Sequence, residues 1–126
     1  SFLFTADAAE EAEEDMLHLG RLLKSDVIKI PHHGSRTSTT EGFLDSVSPD
    51  IAVISVGRQN PYGHPHHEII DRLKGIKVYR TDRDGAVKIT ETPYGLKVKT
   101  FRDFRFEKAH GISGEWRNLK RLFMKW

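Results

Sequence analysis

The chain has 126 residues, enough for one domain and short of two. Its 37% apolar and 30% charged residues exclude a disordered chain, no apolar run approaches the roughly 18–20 residues of a membrane span, and the absence of Cys excludes disulfides, thiolate metal sites and Cys nucleophiles. The net charge of +2 hides a gradient, with seven acidic and two basic residues in 1–26 against three acidic and nine basic in 96–126.

Residues 1–5 read as a short buried strand. Residues 8–23 have a helical pattern, with Ala9, Ala12, Met16, Leu19 and Leu23 near one face and the Glu-rich side toward water. Asp7 is placed to cap that helix, and Gly20 is either tolerated inside it or marks its fraying end. A second strand at 27–30 is stopped by Pro31. His32-His33-Gly34-Ser35 then forms a loop, followed by a Ser/Thr-rich turn. Residues 41–47 predict a short helix closed by Ser48-Pro49. The run at 51–56 is nearly all apolar, as in a strand buried on both faces. A loop at 57–65 leads to a helix at 66–73, with Gly75 as its stop signal, and to a strand at 76–79. Thr81-Asp82-Arg83-Asp84-Gly85 reads as a tight turn, and 86–92 with 96–101 as a hairpin around Pro93-Tyr94-Gly95. The tail, 102–126, is basic and aromatic, with a helix at 115–124. Alternating strands and helices imply an α/β fold, with ligand sites at the C-terminal ends of the strands.

Three loops converge on that edge. Asp7 follows a core strand, where a carboxylate can coordinate one cation or bridge two; capping uses one oxygen, so both roles can hold. His32 and His33 are adjacent imidazoles, the commonest nitrogen ligands of transition metals. On extended backbone they point in opposite directions, one toward a metal and the other toward substrate. Ser35, Arg36, Thr37 and Ser38 are donors suited to a phosphate. In the third loop Arg58, Asn60, Tyr62 and His64 are candidates to line a polar cleft, although for Arg58 and Gln59 a surface-loop reading is preferred. His66 and His67 begin a helix and read as solvent-facing or capping.

Phe4-Thr5-Ala6-Asp7, Pro31-His32-His33-Gly34-Ser35, Ser55-Val56-Gly57 with Asn60, Tyr62-Gly63-His64-Pro65 and Arg80-Thr81-Asp82-Arg83-Asp84-Gly85 occur in one order over residues 1–92. Together they resemble the C-terminal half of a metallo-β-lactamase-fold domain, in particular the domain at the C-terminal end of ComEC-type competence proteins. The resemblance implies half of a four-layer αββα sandwich, with a mixed sheet flanked by helices over 1–101 and the tail 102–126 as a docked helix. It implies a dinuclear site holding two divalent metal ions, zinc or manganese, with iron also open to mixed oxygen and nitrogen ligands. Asp7 would bridge the metals and His33 would ligate one of them. His32 and His64 would be catalytic, on the substrate side with Ser35, Asn60 and Tyr62. The family's Gly before this Asp is here Ala6, which would be strained if the position needs a positive φ.

The family's further ligands lie in a His-x-His-x-Asp-His-like segment upstream, which this sequence lacks. Asp7 and His33 supply at most two of the roughly four ligands a zinc site needs. The chain therefore reads as part of a metal-dependent phosphodiesterase or nuclease domain, with an N-terminal half as its partner and little activity alone. The implied setting is DNA uptake for transformation, as a soluble domain of a protein in the bacterial plasma membrane. An exposed sheet face would favour a homodimer. The alternative is a non-catalytic nucleic-acid-binding module, in which Arg102, Phe104, Arg105, Phe106, Lys108 and Trp116 of the tail track a backbone and stack bases.

Overall fold

The computed structural model describes residues 1–102. The chain divides into two compact units, Ser1–Val87 and Lys88–Trp126. The first unit is mixed α/β, built on a four-stranded sheet in the order β1-β2-β3-β4. The strands are β1 Phe2–Phe4, β2 Val27–Lys29, β3 Ile51–Ile54 and β4 Lys77–Arg80. Every neighbouring pair is parallel, with Leu3, Ile28, Ala52 and Val78 in one row and Phe4, Lys29, Val53 and Tyr79 in the next. The sheet is thus wholly parallel rather than mixed. Its crossovers carry α1 Glu10–Leu17, α2 Glu41–Val47 and α3 His67–Arg72.

Sequential parallel strands joined by right-handed crossovers place every connecting helix on one face. The core agrees with that rule. Ile28, Ile30, Ala52 and Ile54 of the sheet pack with Leu23, with Phe43, Leu44 and Val47 of α2, and with Ile69 and Leu73 of α3. Strand residues of opposite parity carry Phe2, Phe4, Val27, Lys29, Ile51, Val53, Lys77 and Tyr79 to the other face, where Val27 and Ile51 are buried. Phe2 and Phe4 stack on each other and are 40% and 75% exposed, so the first strand is not the buried one its apolar residues predict.

The second helix matches its predicted span. Thr40 caps it, its hydroxyl accepting from Phe43 N–H at 3.4 Å, and Ser48 ends it at φ 48°. The first helix differs more. It stops at Leu17, and a 3₁₀ turn, Gly20–Leu23, follows from Gly20 at φ 52°. Its N-cap is Ala9, so Asp7 caps nothing. Ala9, Ala12 and Leu19 face solvent, whereas Glu13 is fully buried. Its carboxylate accepts from the backbone N–H groups of Thr39 and Thr40, partners that helical periodicity does not register. Residues 81–85 are not a simple tight turn. Thr81–Asp84 form a single helical turn, α4, closed by Gly85 N–H on Thr81 O at 3.1 Å, and Arg80 pairs with Asp82 through two bonds of 2.7 and 3.0 Å. The Arg80 guanidinium holds the Asp82 carboxyl below its usual range.

β5 Val87–Thr92 and β6 Gly95–Thr100, which belong to the second unit from Lys88 onward, form a two-stranded sheet close to the predicted hairpin. The proposed tail helix at 115–124 lies outside the described residues. Among the described residues no helix is long and apolar enough to cross a membrane.

Candidate functional site

Parallel strands end on the same side, so the segments after β1, β2 and β3 meet at one sheet edge. After β1, Thr5 anchors the turn by donating to Lys29 O at 3.0 Å, and Ala8 N–H closes it on Thr5 O at 3.0 Å. Ala6 lies at φ 49°, the left-handed region that disfavours a Cβ. Its carbonyl accepts from the Lys29 ammonium and from His32 N–H, each at 3.2 Å. Asp7 follows directly and is exposed, one residue after the Ala6 carbonyl that is bonded to the histidine turn.

After β2 the backbone does not stay extended. His32 and His33 lie at φ 47° and 55°, followed by Gly34 at 84°. Two consecutive non-glycine residues in this region store on the order of 2–4 kcal/mol of strain. The expected alternation of the two rings is therefore replaced by a tight left-handed turn. Ser35 N–H closes it on His32 O at 2.9 Å. His33 Nδ1 lies 2.7 Å from the Ser55 carbonyl. A carbonyl only accepts, so Nδ1 carries the proton and Nε2 is the basic nitrogen of the neutral ring. Metal-ligating histidines are commonly held in this way. His32 Nδ1 is buried without a hydrogen-bond partner.

The third loop folds down onto this turn. Asn60 donates to Gly57 O and His64 O at 3.0 and 2.9 Å and accepts from His64 N–H at 2.8 Å, so its amide hydrogens shape the loop. His66 N–H donates to Gly34 O at 3.0 Å, and His66 Nδ1 accepts from Arg36 N–H at 3.1 Å. Gly34 permits this approach: a Cβ there would stand 2.5 Å from Pro65 Cβ. From the far side, the Thr81 hydroxyl bonds both the N–H and the carbonyl of Val56, at 2.7 and 2.8 Å.

These contacts gather His32, His64 and His66. The His64 ring lies 4.8 Å from His66, 6.0 Å from His32 and 5.8 Å from Tyr62, which is itself 73% exposed. Burial lowers the His64 pKa, and the neighbouring His66, His32 and His33 lower it further. His64 is therefore neutral at pH 7 and able to accept a proton. Ser35 is buried, its hydroxyl 3.0 Å from that of Thr37. Sequence reasoning set His66 aside as a helix start. The available signal was its place directly after the third loop, two residues from His64. Among the described residues no group of three or more His, Asp or Glu side chains is arranged to hold a metal ion.

No family model matches the chain. It is 37% identical over 103 residues to ComE operon protein 3 of Bacillus subtilis, covering 80% of this chain and 13% of that protein. It is 40% identical over 103 residues to Recombination protein 2 of Haemophilus influenzae, covering 82% of this chain and 12% of that protein. It is 38% identical over 109 residues to Competence protein ComA of Neisseria gonorrhoeae, covering 84% and 16%. The chain thus spans between 12% and 16% of the length of these curated relatives. Over four fifths of its own length it is similar to a short segment of such proteins, and these likenesses support kinship with the ComEC-type competence family.

Proposed function

We propose that this chain forms part of a metal-dependent phosphodiester hydrolase centre, of nuclease type, in a competence protein that takes up DNA. The observation that carries the reading is His33. Its Nδ1–H is committed to Ser55 O, which leaves Nε2 as a ligand nitrogen at the sheet edge that also bears Asp7. Asp7 and His33 would hold a divalent metal pair, zinc or manganese, with the remaining ligands from elsewhere in the parent protein. When bound, such a pair supplies a water acidified to near-neutral pKa. His64, neutral at pH 7, takes a proton on the substrate side, and His32 contacts the phosphate. Ser35 and Asn60 shape the walls of the cleft, and exposed Tyr62 offers a ring face to the substrate.

The exposure of Phe2 and Phe4, on the face opposite the crossover helices, supports a metallo-β-lactamase-like arrangement in which a second sheet covers them. The parent is proposed to reside in the bacterial plasma membrane, with this segment outside the bilayer. The test is cleavage of plasmid DNA with added manganese or zinc. The parent-length protein is expected to cleave, Asp7→Ala and His33→Ala are expected to abolish cleavage, and the 126-residue chain alone is expected to be silent. Cleavage that survives both substitutions overturns the reading.

A further inference from the structure

A strongly constrained segment lies outside the histidine turn, at residues 37–40. Thr39 is fully buried at φ 57°, a conformation that a β-branched residue rarely adopts. Its hydroxyl finds no partner. Such a conformation persists only where its surroundings impose it. Two side chains from different helices do so. Glu13 of α1, fully buried, accepts from Thr39 N–H and from Thr40 N–H, the latter at 2.8 Å. Arg72 of α3 donates from one guanidinium nitrogen to Ser38 O at 3.1 Å and Thr39 O at 3.0 Å. The anion takes the backbone donors and the cation takes the acceptors, so the segment is gripped by charge-assisted bonds of both signs.

The gripped segment is tied in turn to the histidine turn. The hydroxyl of Ser38, fully buried, points at Ser35 O and Pro31 O, 3.0 and 3.4 Å away. Those carbonyls flank His32 and His33. We infer that Glu13 and Arg72 are positioning residues that hold the strained His32-His33 turn in register through the 37–40 segment. The inference rests on the proposed role of that turn, but its geometry does not depend on hydrolysis. Neither residue touches the histidines directly, and neither is among the candidate catalytic groups. With either one removed, the left-handed turn loses its support, and His33 Nδ1–H loses its fixed aim at Ser55 O.

The test uses the 126-residue chain with 15N-labelled histidine, without metal or DNA. In the unaltered chain His33 is expected to show one protonated Nδ1 and one basic Nε2 as distinct nitrogen resonances. Glu13→Gln keeps the shape but sets an amide NH₂ against a backbone N–H. Arg72→Met removes the donors and keeps the stem. Each is expected to collapse the His33 pair toward an averaged tautomer, and to raise amide exchange at His32 and Ser35 at least tenfold. Val47→Ala, a core truncation away from this segment, is expected to lower stability and leave His33 unchanged. An unchanged His33 pair in Arg72→Met, or equal disturbance by Val47→Ala, overturns the inference. Should Glu13→Gln fail to fold, Arg72→Met decides alone, because Arg72 is only half-buried. Failure of the cleavage assay with a positive result here would remove the hydrolase reading and leave the positioning intact.

Discussion

Ala6 stands at φ 49°, where glycine carries no Cβ penalty. Its carbonyl nonetheless serves the site by receiving His32 N–H, so the strain is tolerated where it ties two loops together. Ala6→Gly relieves the steric penalty and gives back part of the gain as unfolded-state entropy. The expected net effect is stabilisation by about 0.5–1 kcal/mol, read from urea denaturation. At His64 the folded-state pKa is depressed below the ordinary imidazole value, so the unfolded chain binds the proton first as pH falls. This contribution to stability is fully present above about pH 6.5 and is lost as pH drops toward the folded pKa. Melting curves from pH 8 to pH 5 are expected to show a fall below pH 6.5 that is shallower in His64→Gln. An equal slope in both would mean that His64 does not sense the cluster.

At the scale of elements, the sheet edge works because each strand end is fastened from both sides. The C-terminal end of β3 is secured by α4, whose Thr81 hydroxyl bonds both backbone groups of Val56. Arg58 adds a bond from its Nε to Asp82 O at 2.9 Å. Thr81→Val keeps the volume and leaves two backbone groups unpaired. It is expected to cost about 1–3 kcal/mol and to accelerate amide exchange through residues 56–66. A loss confined to α4, with the third loop unaffected, would argue against this fastening. The helix crossovers work differently: α2 and α3 are held by apolar burial, with Phe43, Val47 and Ile69 all fully buried.

At the scale of the whole molecule, three helices on one side of a parallel sheet leave the row of Phe4, Lys29, Val53 and Tyr79 pointing away from the core. Parallel sheets are ordinarily covered on both faces. The chain alone is expected to self-associate through the patch of Phe2 and Phe4, as a two-fold dimer. Light scattering across micromolar concentrations checks this. Phe4→Lys is expected to shift the equilibrium toward monomer, and a monomer at every concentration in the unaltered chain counts against it.

The sequence by itself determined the elements whose causes are local. The 41–47 helix is short and its end is marked locally by Ser48-Pro49, and the structure gives it the same span. The third strand follows from an unbroken apolar run, and the α/β order from simple alternation. Asp7 and His33 at the ends of adjacent parallel strands also follow, because a crossover helix between them allows little else. Tertiary structure decided what depends on partners far along the chain. Glu13 is indistinguishable from its exposed neighbours until the backbone of Thr39, 26 residues away, turns toward it. The tautomer of His33 is set by a carbonyl 22 residues away, and His66 enters the cluster through Arg36, 30 residues away. The exposure of Phe4 depends on which face the helices cover. Local preference fixes dihedral angles and caps, but a buried charge or an aimed imidazole exists only once distant backbone groups have been brought within hydrogen-bonding distance.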